Sequence, residues 1–383
     1  MGAIDTVELT QRLIRCPSVT PAEGGALDLL EELLTGLGFQ CHRLVFSEPG
    51  TEDVDNLHAR LGAAAPNFCF AGHTDVVPPG DPGHWRFDPF AGELADGMVH
   101  GRGAVDMKGA IAAFMGAVCR FLDARGPDFG GSISLLITGD EEAVSVNGTR
   151  KMLQWLGEQG ETLDACLVGE PTSGERLGDT VKIGRRGAMN ARLTVRGVQG
   201  HTAYPQLADN PVHSLVRMLE RLSREPLDAG SEHFEPSSLQ VTTVDVGNPA
   251  TNVIPAEARA GFDIRFNDLH DSSGLERWLR ETLDSVGARY ELDVRVSGES
   301  FLCPPGPLSA LVSEAVESVT GAPPALGTGG GTSDARFIKD TAPVAELGLL
   351  NNTAHKIDER VSLEDLSALE RIYEEVLQRF FAA

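Results

Sequence analysis

Apolar positions recur along the first part of the chain with two different periods. Residues 26–37 place Leu29, Leu30, Leu33, Leu34 and Leu37 at helical spacing ahead of Gly38, and residues 107–122 do the same with Met107, Ile111, Phe114, Met115, Val118 and Leu122. Between these helices lie short runs that are apolar on both faces, at 67–72, 133–138 and 165–168, which is the pattern of central strands in a sheet covered on both sides. The theme returns in the run 343–350 and in a helix opened by Ser362, with Asp365 three residues on, carrying Leu366, Leu369, Ile372, Tyr373, Val376 and Phe380. The middle of the chain differs. Residues 188–196 alternate strictly between apolar and polar, as a half-buried strand does. The patterns that follow predict a helix near 211–222, strands near 239–246 and 258–266, a helix near 274–286 and a strand near 290–296. That order, β-α-β-β-α-β, is a ferredoxin-like unit. The sequence therefore predicts an α/β domain, residues 1–183 and 298–383, whose mixed, mostly parallel sheet carries helices on both faces. A small α+β domain at 184–297 interrupts it.

Composition narrows the function classes. The 383 residues carry 32 Lys and Arg against 56 Asp and Glu, a net charge of −24 that repels polyphosphates and argues against nucleic acid and anionic membranes as partners. No window offers the run of about 18 apolar residues that a membrane span requires, and the N-terminus lacks the basic start and apolar block of a secretion signal, so a soluble, cytoplasmic protein is expected. Cys16, Cys41, Cys69, Cys119, Cys166 and Cys303 form no C-x-x-C pair and read as free thiols of a reducing compartment. A chain this acidic handles metal ions, binds small anions through a few local arginines, or is merely well solvated.

The residues that follow the buried runs carry the chemistry. After the run at 67–72 comes His73-Thr-Asp75; after 133–138, Asp140-Glu141-Glu142; after 165–168, Gly-Glu170-Pro; and after 343–350, Asn351 through His355. Ligands of open α/β sheets gather outside the carboxyl ends of the strands, so four strands delivering His and carboxylates to one edge predict a metal site, completed by Asp106 ahead of the second helix. Taken singly, Asp106 reads as a helix N-cap, Asp75 as a turn acid and Glu170 as a charge at a chain exit; the joint placement is what those readings do not explain. His73 and Asp75, two apart on an extended segment, point the same way, which lets Asp75 accept from the imidazole and fix its tautomer. Glu141 and Glu142 diverge, so that one ligates while the other reaches the reacting water. Two histidines and three carboxylates without sulfur suit Zn²⁺, Co²⁺ or Mn²⁺, and if Asp106 bridges, two metals each gain three protein ligands and keep open positions. The arrangement predicts a two-metal hydrolase. No G-x-S-x-G, P-loop or G-x-G-x-x-G motif stands in a setting that would support a serine hydrolase, an NTPase or a dinucleotide enzyme.

His73-Thr-Asp75, Gly101-Arg-Gly-x-x-Asp106-Met-Lys-Gly109, Asp140-Glu141-Glu142 and Gly169-Glu170-Pro171-Thr172 resemble the di-zinc aminoacylase/carboxypeptidase family of metallohydrolases, which includes acetylornithine deacetylases and succinyl-diaminopimelate desuccinylases. The resemblance spans essentially the whole chain. Gly80-Asp-Pro-x-x-Trp85, Gly184-Arg-Arg-Gly187, Gly200-His201-x-Ala-Tyr204-Pro205, Asn252-Val-Ile-Pro255, Gly330-Gly-Thr-Ser-Asp-x-Arg-Phe337 and His355-Lys-Ile-Asp-Glu359 point to the desuccinylating branch. The resemblance implies a zinc-peptidase-like catalytic domain and an inserted dimerisation or lid domain through which a homodimer forms. It implies two divalent ions, zinc foremost with cobalt or manganese as alternatives. His73, Asp106 and Glu170 would hold one ion and His355, Asp106 and Glu142 the other, with Glu141 as general base. It further implies substrate contacts from Arg185, Tyr204, Arg265, Gly331, Thr332 and Asn351, and from His201 and Asn252 reaching the neighbouring subunit's site. Without the family, Gly331 and Thr332 read as a flexible loop, Arg185 as a solvated charge and His201 as a turn residue. Two positions depart from the family pattern: Ala143 where Gly follows the Glu pair, and Ala188 where Ser often follows Arg-Arg-Gly, which removes a hydroxyl from the acid end of the substrate. The implied reaction is hydrolysis of N-succinyl-LL-2,6-diaminopimelate, a small anionic substrate, to succinate and LL-2,6-diaminopimelate. Deacetylation of acetylornithine, a broader acyl-amino-acid hydrolase or carboxypeptidase, and a metal-free scaffold are the rivals.

Overall fold

Seven consecutive residues from Asn67 to His73 are buried, and so are all seven from Ser132 to Thr138, because each strand lies between neighbours within the sheet and helices above and below it. The computed structural model describes residues 4–382. We number the four strands that lead to the candidate site β1 (Asn67–His73), β2 (Ser132–Thr138), β3 (Ala165–Val168) and β4 (Val344–Glu346). They lie side by side in the order β2-β1-β3-β4, every pair parallel, so their carboxyl ends open on one edge. The sheet has eight strands: Gln40–Phe46 and Val54–Leu61 extend it antiparallel beyond β2, and Thr180–Lys182 and Ala325–Gly327 extend it beyond β4. This is the mixed, mostly parallel α/β sheet expected from the sequence.

Two long helices, α1 (Gly109–Arg125) and α2 (Leu363–Phe380), belong to this layer. Ser362 opens α2 by accepting from the N–H of Asp365. Phe70 of β1 stacks on Phe114 of α1 with ring centroids 4.2 Å apart, and Tyr373 of α2 meets both edge-on. The buried Tyr373 hydroxyl donates to the Leu347 carbonyl just after β4, at 2.6 Å. The second helix was expected from Met107; it starts instead at Gly109, because Asp106 (φ −125°, ψ 90°) and Met107 (φ −133°, ψ 28°) are not helical. A small three-stranded sheet, Glu93–Ala95, Met98–His100 and Arg360–Ser362, has strands too short to leave a period in the sequence.

The chain divides into two compact units, one of residues 1–183, 303–327 and 333–383 and a second of 184–302 with 328–332. In the second unit four antiparallel strands run in the order Ser238–Asp245, Glu257–Phe266, Gly187–Arg196, Arg289–Gly298. Helices Pro211–Ser223 and Ser272–Asp284 share its apolar core, with Met189, Leu193, Leu215, Met218, Phe262 and Leu279 among the buried residues. Asn210 and Asp271 cap the two helices. Among the described residues all six cysteines are free thiols, and no helix is long and apolar enough to cross a membrane.

Candidate metal centre and substrate residues

The strand ends deliver four of the expected residues to one place, and the loop after Gly103 adds Asp106. Asp106 faces both histidines: its Oδ1 lies 3.2 Å from His73 Nε2 and its Oδ2 3.2 Å from His355 Nε2. His355 Nε2 is also 2.8 Å from Glu142, and His73 Nε2 is 3.6 Å from Glu170. Two groups converge to within 4.8 Å, His73 with Asp106 and Glu142, and His73 with Glu141 and Glu170. His73 is wholly buried, whereas His355 stays half exposed, so the edge is open on the His355 side.

His73 Nδ1 donates to the backbone carbonyl of Asp75 at 2.9 Å, with the Asp75 carboxylate farther off at 3.6 Å. The tautomer expected from the sequence is therefore set, but by the main chain. The Asp75 carboxylate accepts instead from the N–H groups of Glu141 (3.2 Å) and Glu142 (3.0 Å) and so holds the backbone of the Glu pair. Asp140, equally buried, closes the same loop by accepting from Ser145, Val146 and Asn147.

The electrostatics follow from packing five acids around two imidazoles. Burial works against a charged His73, yet Asp106 and the carboxylates of Glu170, Asp75 and Glu141 hold it well above the ordinary histidine range. Hydrogen bonds to Asp106 and Glu142 lift His355 to about 10. Burial raises Glu141 well above the usual carboxylate range, with Glu170 adding to it, and burial brings Asp75 to about 6 against the pull of His73. Asp106 is held below the usual range because its bonds to His355 and His73 outweigh its burial. In neutral His73 the Nδ1 proton is committed to the carbonyl, and the Nε2 lone pair faces two carboxylates. Acceptors facing a lone pair need positive charge between them, and a nitrogen and oxygen donor set without sulfur suits borderline divalent cations. The residues present fit two such ions.

In the second unit Arg185 is buried and donates from Nη1 to the Gly331 carbonyl at 3.0 Å, so the segment 328–332 that carries Gly331 and Thr332 folds with it. His201 pairs with Val253 across a two-stranded ladder, the N–H of Thr202 donates to the Asn252 carbonyl, and the Tyr204 ring lies 5.7 Å from the imidazole. These three expected residues are therefore neighbours. His201 Nδ1 accepts from the N–H of Ala203, which in the neutral ring leaves the proton on Nε2. Arg265 bonds Asp263 and sits opposite Ala188 in the sheet. Asn351, in the first unit, is exposed and donates its N–H to the Ser173 carbonyl.

The sequence pattern of peptidase family M20/M25/M40 matches residues 69–379. The chain belongs to this family. Among M20/M25/M40 relatives, the succinyl-diaminopimelate desuccinylase of Rhodospirillum centenum is 59% identical over 380 residues, covering 99% of this chain and 98% of its own. That of Parvibaculum lavamentivorans is 57% identical over 382 residues, covering 99% and 96%. Among solved structures, an M20-family metallo-carboxypeptidase from Sulfolobus solfataricus superposes with a TM-score of 0.79 at 17% identity, covering 99% of this chain and all of that one. Human carnosine dipeptidase 1 gives 0.75 at 18%, covering 99% and 96%. Both share the fold of this chain.

Two further acids stand beside the Glu pair without a role that the sequence assigns. Asp140 has a local signal, an acid ahead of a loop that must turn sharply. Asp334 is buried, accepts from the Thr149 hydroxyl at 2.7 Å and adds negative charge near Glu141. Nothing local in Gly330–Phe337 marks it as a neighbour of the Glu pair.

Proposed function

We propose that this chain hydrolyses the succinyl amide of N-succinyl-LL-2,6-diaminopimelate, releasing succinate and LL-2,6-diaminopimelate. The observation that carries the chemistry is Asp106 joining two imidazole–carboxylate groups beside a half-buried Glu141. The near-full-length identity to desuccinylases supports the choice of acyl group. His73, Asp106 and Glu170 would hold one divalent cation and His355, Asp106 and Glu142 the other, zinc being the first choice. Bound there, the cations supply Lewis acidity to the water and to the amide carbonyl. Glu141, held by its backbone to Asp75, takes a proton from the attacking water as the C–O bond forms, and returns it to the amine as the C–N bond breaks. Its raised proton affinity suits a group that must carry that proton between the two steps. Arg185 and Arg265 offer forked donors to the substrate's carboxylates, a local answer to the net charge of −24. Tyr204, Asn252, Gly331, Thr332 and Asn351 are assigned to the remaining substrate contacts. His201, with its proton on Nε2, is assigned to the oxyanion, reaching it from the partner subunit of a homodimer formed through the second unit. The cytoplasm is the compartment where such a biosynthetic step would find its substrate.

Turnover of metal-loaded protein on N-succinyl-LL-2,6-diaminopimelate, N-acetylornithine and a dipeptide tests the substrate. The succinylated substrate should give the highest kcat/KM. Faster turnover of acetylornithine or of the peptide would overturn the assignment while leaving the metal chemistry in place.

A further inference from the structure

Arg102 and Glu359 stand in the motifs that carry Asp106 and His355, yet neither is among the groups assigned to cations or substrate. Both are almost wholly buried, at 2% and 0% exposure, with Arg102 Nη1 2.7 Å from Glu359 Oε2. A buried ion pair is a weak source of stability, since desolvation of the two charges offsets their attraction. What distinguishes this pair is where its remaining hydrogen bonds go. Glu359 Oε1 accepts from the backbone N–H groups of Val105 (3.0 Å) and of Asp106 itself (3.3 Å). Arg102 donates from Nη1 to the carbonyl of Lys356 (3.2 Å) and from Nη2 to that of His355 (3.5 Å). The bracing is reciprocal: a side chain from the His355 segment fastens the backbone of Asp106, and a side chain from the Asp106 segment fastens the backbone of His355.

Neither ligand segment has a regular ladder to hold it at the ligand itself. Asp106 is neither helical nor part of a strand, and His355 has φ +60°, a left-handed conformation that non-glycine residues rarely adopt. Pairing of Arg360 with His100, together with the Gly101 N–H bond to the Glu359 carbonyl, joins the two segments only at their far ends. We propose that Arg102 and Glu359 are positioning residues that set the 3.2 Å approach of His355 to Asp106 and thereby the affinity for the cation on the His355 side. The proposal rests on the assignment of Asp106 and His355 as ligands. Partners that orient metal ligands in this way are typically worth 10–100-fold in metal affinity.

The test compares metal-stripped wild type, Glu359→Gln, the double variant Arg102→Met/Glu359→Leu, and His355→Ala. Each is titrated with Zn²⁺ by calorimetry, its visible spectrum is recorded with Co²⁺, and its thermal melt is followed without metal. Glu359→Gln preserves shape but sets an amide N–H against either the guanidinium or the N–H groups of Val105 and Asp106. It should weaken one of the two ions about 10–100-fold and alter the Co²⁺ bands. The double variant removes both charges together, so its metal-free melt should return towards wild type while its metal affinity stays low. Wild-type affinity and Co²⁺ spectrum in Glu359→Gln, or recovery of affinity together with the melt in the double variant, would overturn the proposal and leave the ligand assignment standing. Retention of both ions by His355→Ala would instead remove the ligand assignment, and the proposal with it.

Discussion

Glu141 and Glu142 are neighbours in sequence with different surroundings: Glu142 touches His355, while Glu141 feels the charges of Glu170, His73 and Asp334. Glu141→Gln should therefore keep both metals by elemental analysis and lose roughly 10²–10⁴-fold or more in kcat, since it removes a base and not a ligand. Near-normal turnover with metal bound would refute the role. His58 allows a prediction about stability. Its ring is 3% exposed, neither nitrogen has a hydrogen-bond partner, and it lies beside His42 and Trp155. Burial lowers its pKa to about 4, with the nearby His42 and Arg60 acting in the same direction. Between the unfolded value of about 6.5 and that folded value the unfolded chain binds the extra proton, so the contribution of neutral His58 is complete above pH 6.5 and is lost as pH falls towards 4. The loss is on the order of 3 kcal/mol. Urea melts from pH 7 to 4.5 should show a shallower decline for His58→Gln than for wild type, and parallel declines would refute the assignment. At this scale the sequence was legible for residue type and less so for atom. The spacing of His73 and Asp75 announced a fixed tautomer, but which oxygen accepts depends on how the chain turns after β1, and a two-residue spacing does not encode that.

Among the elements, α1 shows how close the packing is. A Cβ added at Gly116 would lie 2.4 Å from the Thr6 hydroxyl and 2.9 Å from Glu370 of α2, and these two side chains already share a 2.7 Å hydrogen bond. Gly116→Ala gains up to about 1 kcal/mol in helix propensity, yet overpacking should cost about 1–3 kcal/mol and break the Thr6–Glu370 bond. A lower urea midpoint for the variant is the expected result; a higher one would mean that the helices separate freely. The strands β1 to β3 were readable because burial on both faces demands unbroken apolar runs, and α2 because Ser362 and Asp365 mark its start. The start of α1 was not readable. Met107 fits the 3.6-residue period as well as Ile111 does, but the segment before Gly109 is shaped by what Asp106 must reach, His73 from β1, and His355 and Glu359 from far along the chain. Those partners lie outside any local window.

For the whole molecule, the proposed loan of His201 between subunits makes a complementation test available. His201→Ala and Glu141→Gln proteins, each inactive alone, should regain up to about a quarter of wild-type activity when mixed and allowed to exchange subunits, because half the dimers are then mixed and each has one complete site. No recovery despite exchange would confine His201 to its own subunit or to a supporting part. The order of strands has a consequence for how the protein is made. β4 occupies the slot between β3 and Thr180–Lys182, with Val344 opposite Cys166 and Glu346 opposite Lys182, so this slot, third from one edge of the sheet, stays unfilled while some 160 further residues are synthesised. The inserted unit is nearly contiguous in the chain and can settle first as it leaves the ribosome. The other unit must wait with that slot unfilled, although His73, Asp106 and Glu170 have already been synthesised. His73, Asp106 and Glu170, the proposed holders of one cation, all precede β4, whereas His355 of the other proposed set follows it, so completion of the second site is deferred until the last tenth of translation.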